Sequence, residues 1–242
     1  MKLVVDIGNS RLKWARVDRR GLGPGAAVER RGTLESLLEE AFAGTEPPSA
    51  ALVCSVADEE FNSRLEEWML ARWRVRPRWF KAEDRTLEIV NGYPEPSQLG
   101  ADRWAAVLGA RGLHRPPLAV IDCGTALTLD VVDGDDRHLG GLIAPGVELA
   151  RRSLLTNTAR VRAAAEQAAG LLGRSTAECV ANGTRLGLAG AVERWIRDVD
   201  ERLGGVAWLA TGGAWPMLNA EIGHSLQYDP DLVLRGLARV LE

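Results

Sequence analysis

Two stretches of the chain carry residue types that bind phosphate groups and cations. In each, an apolar run ends in Asp-x-Gly, a hydroxyl residue follows within two positions, and a second apolar run begins at once. The pairs are Asp6 with Gly8 and Asp122 with Gly124. The stretches are Leu3–Val17, LVVDIGNSRLKWARV, and Leu118–Val132, LAVIDCGTALTLDVV. Each pattern predicts a strand, a tight turn and a second strand, with the aspartate beside the turn.

The chemistry of such a turn follows from its residue types. Glycine lets backbone N–H groups approach a ligand closely, and Asn9, Ser10 or Thr125 adds side-chain donors. A carboxylate beside them holds a cation or its water shell. A single Asp-x-Gly after a strand is most often a plain hairpin turn. Two of them at equivalent places in similar halves indicate a duplicated fold that closes on a nucleotide from both sides.

A third carboxylate stands at a predicted helix start. The block Gly100–Arg103, GADR, precedes residues at helical spacing, so Asp102 falls in the first turn. There the positive end of the helix dipole favours an ionised carboxylate. Asp102 then either caps the helix or accepts a proton from a substrate hydroxyl, beside an arginine that steadies a transferring phosphoryl group. Tyr93, in the turn-rich segment Asn91–Leu99, either covers a small ligand or anchors the loop.

The remaining pattern predicts an α/β protein. Strands that alternate with helices favour a mostly parallel or mixed sheet. The length fits two domains, which we expect at residues 1–115 and 116–242, divided near the Pro116-Pro117 pair. Strands are predicted at 50–56, 75–80 and 206–210, and helices at 33–42, at 59–73 and from the Ser175 capping box to Gly204.

Three places in the second half leave alternatives open. The triplet Asn182-Gly183-Thr184 is expected to interrupt a helix, either facing a cleft or forming an irregular turn. The glycines of 140–146 indicate close backbone approach or simple turns. The Thr211-Gly212-Gly213 turn is either a further place for a nucleotide or a common turn from a strand to a helix. Asp229-Pro230 is predicted to begin the last helix, with the aspartate as its cap.

Composition limits the classes of function. A net charge of −3 argues against a surface that coats nucleic acid. The first apolar run reaches only Val5, so neither a signal peptide nor a membrane span is expected. Cys54, Cys123 and Cys179 are isolated, which indicates a reducing compartment and a cytoplasmic protein. The histidines form no metal-ligand spacing with these cysteines.

These motifs, in this order and over nearly the whole chain, resemble the type III pantothenate kinases. The GADR block between two Asp-x-Gly hairpins is the specific part, because the hairpins alone also fit sugar and acetate kinases. The resemblance implies the actin-like ATPase (ribonuclease H-like) fold, with two duplicated domains around an interdomain cleft. The matching blocks are DIGNSRLKW at 6–14, LGADRW at 99–104, DCGTALTLD at 122–130, GGLIAPG at 140–146, NGT at 182–184 and TGG at 211–213.

The same resemblance implies an activity and its requirements. It implies ATP-dependent phosphorylation of pantothenate at its primary hydroxyl, the first step of coenzyme A synthesis. It also implies a homodimer that needs Mg²⁺ and a monovalent cation, potassium or ammonium. Neither nucleic acid nor a membrane is an expected partner.

Individual residues take implied roles from the resemblance. Asp102 is the expected general base, and Asp122 the expected ligand of the monovalent cation. The expected ATP contacts are Asp6, Ile7, Gly8, Asn9, Ser10, Arg11, Leu12, Lys13 and Thr125, and the expected pantothenate contacts are Tyr93, Gly100, Ala101, Asp102, Arg103 and Thr184. Ser10 replaces the threonine of many relatives and keeps the hydroxyl, whereas Trp215 and Pro216 depart from the family pattern.

Two other hypotheses stay open at this point. One is a kinase of the same fold that acts on a sugar or a short carboxylic acid, against which only the GADR and NGT blocks argue. The other is a nucleotide-responsive regulator without catalysis. The acidic balance and the lack of a helix-turn-helix segment before the first hairpin argue against DNA binding.

Overall fold

The computed structural model describes residues 1–158 and 170–241. The chain folds into two compact units, each with its own sheet. Unit 1 comprises Met1–Pro116, Gly134–Gly140 and Asp231–Glu242, and unit 2 comprises Pro117–Asp133 and Gly141–Pro230. These units are defined by contacts, so the division into repeated domains at residues 1–115 and 116–242 stays a prediction.

Short strands and helices alternate through the described residues, as predicted for an α/β protein. The strands are β1 (Lys2–Ile7), β2 (Arg11–Asp18), β3 (Gly21–Leu22), β4 (Ala26–Glu29), β5 (Ala51–Ser55), β6 (Arg78–Trp79), β7 (Arg85–Thr86), β8 (Ile89–Val90), β9 (Leu118–Cys123), β10 (Ala126–Val132), β11 (His138–Pro145), β12 (Ala207–Thr211) and β13 (Gln227–Tyr228). The helices are α1 (Leu34–Phe42), α2 (Glu59–Trp73), α3 (Ala101–Leu113), α4 (Val147–Asn157), α5 (Thr176–Leu203), α6 (Trp215–Asn219) and α7 (Leu232–Leu241).

The two large sheets repeat one arrangement, and β7 and β8 form a separate two-stranded sheet in unit 1. In unit 1 the strand order is β3-β2-β1-β5-β6, with β4 also paired to β2, and the second sheet has the order β11-β10-β9-β12-β13. The first strand of each, β1 or β9, pairs antiparallel with its hairpin partner and parallel with a strand that follows a helix. Because each central strand is covered on both faces, it is a continuous apolar run. The repeated order is what a duplicated fold predicts.

Each sheet packs against helices through its own apolar core. In unit 1 the buried cluster joins β1, β2 and β5 to α1 and α2, and an aromatic group around Phe42 closes it. In unit 2 the cluster joins β9, β10 and β12 to α5 and α6. Helices α3 and α7 pack so closely that a Cβ on Gly236 would overlap the backbone of Ala105. Close contact along this pair holds the helix that begins at the GADR block.

Side-chain caps begin α1 and α5, and the one at Ser175 was predicted. Thr33 Oγ1 accepts the N–H of Ser36 at 3.2 Å before α1. Ser175 Oγ accepts the N–H of Glu178 at 3.2 Å, and the Glu178 carboxylate accepts the N–H of Arg174 at 2.6 Å. The capping box therefore begins α5 as predicted, and Gly204 ends it.

Some predicted boundaries are wrong, each for a local reason. The triplet 182–184 does not interrupt a helix, because α5 runs unbroken through it. The last helix begins at Leu232, two residues after the predicted first helical position at Pro230, and the Asp231 carbonyl accepts the N–H of Arg235 at 2.9 Å. The strand expected at 75–80 shrinks to β6. The strands β3, β4, β7 and β8 were not predicted, because two to four residues are too few to give a period-2 signal.

Candidate active site

The first Asp-x-Gly hairpin lies at the end of β1 in unit 1. Asp6 is 8% exposed and stands opposite Lys13 on β2 and Cys54 on β5. Cross-strand neighbours point to the same face of a sheet, so the carboxylate, the ammonium and the thiol share one face. Of the other predicted ATP contacts, Ile7 and Leu12 are fully buried in the core. They hold the hairpin in place rather than presenting side chains to a ligand.

The turn itself is held by hydrogen bonds from inside and outside the hairpin. The Gly8 N–H donates to the Arg11 carbonyl at 3.0 Å. Arg30 Nη1 donates to the Gly8 carbonyl at 2.7 Å, and the Arg30 backbone N–H donates to the Ser10 carbonyl at 2.9 Å. Asn9, Ser10 and Arg11 are exposed. Arg30 was not among the predicted site residues, since it follows β4, which the sequence did not reveal.

Asp102 lies in the first turn of α3, as predicted. Gly100 occupies the N-cap position without a side-chain capping bond, and Asp102 Oδ1 accepts the N–H of Arg103 at 2.8 Å. The carboxylate therefore satisfies one N–H of the first turn, which is the structural role considered for it. The same bond fixes the direction of a half-buried carboxylate, as a general base requires. The two interpretations are compatible.

Asp6 and Asp102 lie in one electrostatic neighbourhood within unit 1. Burial raises the pKa of the Cys54 thiol well above its ordinary value, and the charges of Asp6 and Asp102 raise it further. The geometry agrees, because α3 packs on β5 and Cys54 of β5 stands opposite Asp6. The thiol stays protonated and neutral, so it adds no charge between them. The hairpin turn and the start of α3 thus form one candidate site.

Tyr93 joins this group through Arg103. The Arg103 guanidinium, 7% exposed, donates from Nη1 to the Tyr93 hydroxyl at 3.2 Å. The Tyr93 N–H donates to Asn91 Oδ1 at 3.0 Å, which stabilises the loop backbone next to Tyr93. The fully buried His138 lies between two aromatic side chains, with ring centroids 5.8 Å from Tyr93 and 6.0 Å from Trp104. His138 was missed as a site residue, because its isolated position in the sequence gave no metal-ligand spacing.

The second Asp-x-Gly hairpin, in unit 2, has different neighbours. Asp122 stands opposite Thr128 on β10 and Thr211 on β12, which are 8% and 2% exposed. The Oδ1 atom of Asp122 is buried, and a Cβ on Gly212 would overlap it. Gly212 has a φ of +90°, so glycine is needed there for both conformation and space. A carboxylate, two hydroxyls and nearby carbonyls make an oxygen-rich site that suits a hard cation.

Backbone groups hold the second turn. The Gly146 N–H donates to the Thr125 carbonyl at 2.9 Å, and the Ala214 N–H donates to the Cys123 carbonyl at 3.0 Å. The Pro-Gly before α4 and the Gly-Gly after β12 therefore approach the turn closely, as one of the two interpretations of these glycines predicted. Burial, and then the Asp122 charge, raises the pKa of the Cys123 thiol to about 12.

In the triplet at 182–184, Asn182 is buried and hydrogen-bonded within unit 2, whereas Thr184 is partly exposed to solvent. Asn182 is 3% exposed, and its Nδ2 donates to the carbonyls of Gly170 and Leu171, each at 3.0 Å. Arg185 donates to Asn182 Oδ1 at 3.3 Å and pairs with Glu221. Thr184 is partly exposed in unit 2, and its contact with an acceptor stays a prediction.

Within residues 1–158 and 170–241, no group of three or more His, Cys, Asp or Glu side chains could hold a metal ion. No helix in that part of the chain is long and apolar enough to cross a membrane.

Comparison with known proteins gives one consistent family. A family model described as type III pantothenate kinase matches residues 2–198. A type III pantothenate kinase from Nitrosococcus oceani is 35% identical over 99% of this chain and 93% of its own length. The one from Methylibium petroleiphilum is 38% identical over 93% of this chain and 92% of its own length. These matches support a kinase for pantothenate and argue against the two rival hypotheses, a kinase for another acceptor and a regulator without catalysis.

Solved structures give the fold. The activator of the 2-hydroxyisocaproyl-CoA dehydratase from Clostridium difficile, with bound ADPNP, aligns with a TM-score of 0.54 and 11% identity over 98% of this chain and 92% of that one. A 2-dehydro-3-deoxygalactonokinase candidate from Sinorhizobium meliloti aligns with a TM-score of 0.60 and 13% identity over 99% of this chain and 98% of that one. At these identities the likeness shows the actin-like ATPase fold and nothing about the substrate.

Proposed function

Because this chain belongs to the type III pantothenate kinase family, and so phosphorylates pantothenate with ATP in coenzyme A biosynthesis, we propose that Asp102 is its general base. The observation that supports this proposal is that α3, which begins at the GADR block, packs on β5, whose Cys54 stands opposite Asp6, while Arg103 donates a hydrogen bond to Tyr93. In this proposal the base for the acceptor hydroxyl belongs to the same unit as the turn Gly8–Ser10, which is assigned to phosphate below. This combination is what phosphoryl transfer to an alcohol needs.

In the proposed reaction, the residues of unit 1 align the partners and manage the proton. Asp102 accepts the proton of the pantothenate primary hydroxyl as its oxygen attacks the γ-phosphorus of ATP. The bond from that phosphorus to the bridging oxygen of ADP breaks, and ADP leaves. Arg103 offsets the charge of the moving phosphoryl group, and Tyr93 positions the acceptor. Such alignment and charge neutralisation supply most of the catalysis in phosphoryl transfer.

The phosphate tail of ATP is assigned to the turn Gly8–Ser10 and to Lys13. Lys13 faces the same side of the sheet as Asp6, so the turn offers donors and a positive charge together. A single carboxylate, Asp6, suits Mg²⁺, which is usually bound by one or two carboxylates together with substrate phosphates. When bound, Mg²⁺ neutralises charge on the transferring phosphate. Thr125 in the second turn is a further proposed ATP contact.

The monovalent cation is assigned to Asp122 in unit 2. The buried Oδ1 atom and the hydroxyl residues Thr128 and Thr211 match the oxygen ligands that potassium prefers. When bound, the cation offsets negative charge near the polyphosphate. The residues Gly124 and Gly212 leave room beside the carboxylate, because neither carries a Cβ.

Substitution of Asp102 by Asn tests the base. We expect kcat to fall roughly 10²–10⁴-fold, the usual range for a lost general base, with little change in the KM for pantothenate. The measurement is a coupled ADP-release assay with pantothenate. Glu95→Gln is the control, because Glu95 is an exposed carboxylate on the neighbouring loop. A near-normal kcat in Asp102→Asn would remove Asp102 from this role.

A homodimer is the proposed assembly. Large exposed apolar side chains occur on β11 and α4, including Ile143, which is 65% exposed. An apolar edge of this kind is typical of a surface that another subunit covers. We expect Ile143→Asp to shift the mass measured by light scattering from two chains to one. The control is Leu70→Asp, which alters an exposed leucine on α2 in unit 1 and leaves the mass unchanged. Two chains in both variants would rule out this surface.

A cytoplasmic location is also proposed. The three cysteines are free, and two of them, Cys54 and Cys123, are buried as thiols. Free thiols of this kind suit a reducing compartment, where ATP is also available.

A further inference from the structure

Arg30 contacts the turn Gly8–Ser10 from outside the first hairpin. Its side chain donates from Nη1 to the Gly8 carbonyl at 2.7 Å, and its backbone N–H donates to the Ser10 carbonyl at 2.9 Å. The two carbonyls flank Asn9, at the tip of the turn. One residue therefore holds the turn on either side of its tip.

The guanidinium is itself held in place. It lies over the ring of Phe61 on α2, 4.3 Å from the ring centroid, in cation–π contact. Burial lowers the pKa of Arg30 from its ordinary value, and the nearby charge of Asp58 opposes that shift. An arginine remains protonated at neutral pH despite such a shift. The side chain is thus a fixed cation with a fixed direction.

We propose that Arg30 is a positioning residue for ATP, which sets the direction of the peptide groups in the turn Gly8–Ser10. In a trans peptide group the carbonyl and the N–H point in opposite directions. When Arg30 holds the Gly8 carbonyl on its own side, the N–H of Asn9 points to the other side. This preorganisation supplies a donor for a phosphate oxygen without the cost of ordering the turn on binding.

The neighbouring residue supplies a matched control. Arg31 has the same charge and follows Arg30 directly, but its side chain is 83% exposed and pairs with Glu29 at 2.5 Å. Arg31→Met removes the same charge from almost the same place. It leaves the bond to Gly8 intact, so it separates long-range charge from local positioning.

The inference rests on the proposed assignment of ATP to this turn, and the experiment separates the two. In Arg30→Met we expect the KM for ATP to rise roughly 10–100-fold, the range for loss of one hydrogen bond to a charged group. The KM for pantothenate should change less than about 2-fold, since the acceptor pocket keeps its contacts. Arg30→Lys should recover part of the loss, because it keeps the charge and one donor. Arg31→Met should match the parent.

Direct ATP binding, measured by calorimetry on the full-length protein without pantothenate, completes the design. Lys13→Met is measured in parallel, because Lys13 belongs to the proposed ATP site. If Lys13→Met weakens ATP binding and Arg30→Met does not, the role of Arg30 is wrong and the ATP site stands. If neither variant weakens it, both the role of Arg30 and the ATP assignment fall. An equal rise in both KM values for Arg30→Met would indicate general loosening of the fold and would also overturn the inference.

Discussion

The two Asp-x-Gly hairpins share a backbone arrangement but differ in what surrounds the carboxylate. Asp6 stands between an ammonium on Lys13 and a thiol on Cys54, whereas Asp122 stands between Thr128 and Thr211. The first hairpin brings its own positive charge, which suits an anion. The second surrounds its carboxylate with oxygen atoms, which suits a cation. The two hairpins thus share one backbone arrangement, and the residues on the neighbouring strands give each of them a different chemistry.

The hairpins also differ in what holds the turn. Arg30 holds the first turn through its side chain as well as its backbone N–H, whereas backbone N–H groups of Gly146 and Ala214 hold the second. The first turn is therefore sensitive to side-chain changes some distance away in the sequence. The second is sensitive to added volume, because a Cβ on Gly146 would come within 2.6 Å of the Thr125 carbonyl oxygen. This contrast can be tested by matched substitutions in the two hairpins.

Of the two hairpins, the first is expected to show the larger effect. In Asp6→Asn we expect kcat to fall on the order of 10²–10³-fold. The variant loses the carboxylate proposed to hold Mg²⁺, which neutralises charge on the transferring phosphate. The loss should be the same in potassium and in sodium, since this carboxylate is not the monovalent-cation ligand. The coupled ADP-release assay in each salt measures it. A loss confined to potassium would assign the cation to Asp6 instead.

The matching change in the second hairpin should behave differently. In Asp122→Asn we expect a smaller fall, roughly 10–100-fold in potassium, as for a weakened cation site. The parent enzyme should be much slower in sodium than in potassium, and the variant should show little difference between the two salts. Potassium titrations of both proteins, at constant ionic strength, measure this. Equal parent rates in the two salts would show that Asp122 has been assigned wrongly.

Sequence patterns predicted the elements on which this contrast depends but not the neighbours of the two carboxylates, and the difference has physical reasons. The two hairpins, the helix start at Asp102 and the helix over 59–73 were predicted because strand alternation, turn glycines and helical spacing are local signals. The neighbours Cys54 and Thr211 come from distant strands, and only the pairing of β5 and β12 with the central strands brings them to the carboxylates. Register between distant strands is not encoded in any short window.

Arg30 and His138 were missed for the same kind of reason. Arg30 follows β4, whose pairing with β2 carries it to the turn. His138 lies in a segment from the second half of the chain that belongs to unit 1, where it contacts Tyr93. The unbroken α5 was also missed, because Gly183 and Asn182 have low helix propensity. Burial of Asn182 and its bonds to two carbonyls outweigh that preference.

The smallest expected effect concerns stability, and it separates the two ways of holding a turn. Gly146 has a φ of −70°, which any residue adopts, so a substitution there is opposed only by volume. A Cβ at Gly146 would meet the Thr125 carbonyl oxygen at 2.6 Å, whereas a Cβ at Gly8 would meet its nearest neighbour, the Arg11 carbonyl oxygen, at 3.4 Å. We expect Gly146→Ala to lower the free energy of unfolding by about 1–3 kcal/mol, the range for overpacking. Gly8→Ala should change it by less than about 0.5 kcal/mol.

Urea denaturation, followed by circular dichroism, measures both changes, with the slope m used to check that the transition keeps its character. The backbone atoms against Gly146 belong to the second turn, so they cannot move away without breaking the bond from the Gly146 N–H to Thr125. The atom against Gly8 is at ordinary contact distance and needs no shift. Equal midpoints for the two variants would mean that the second turn yields as easily as the first. The distinction between a turn held by a side chain and a turn held by packed backbone would then be lost.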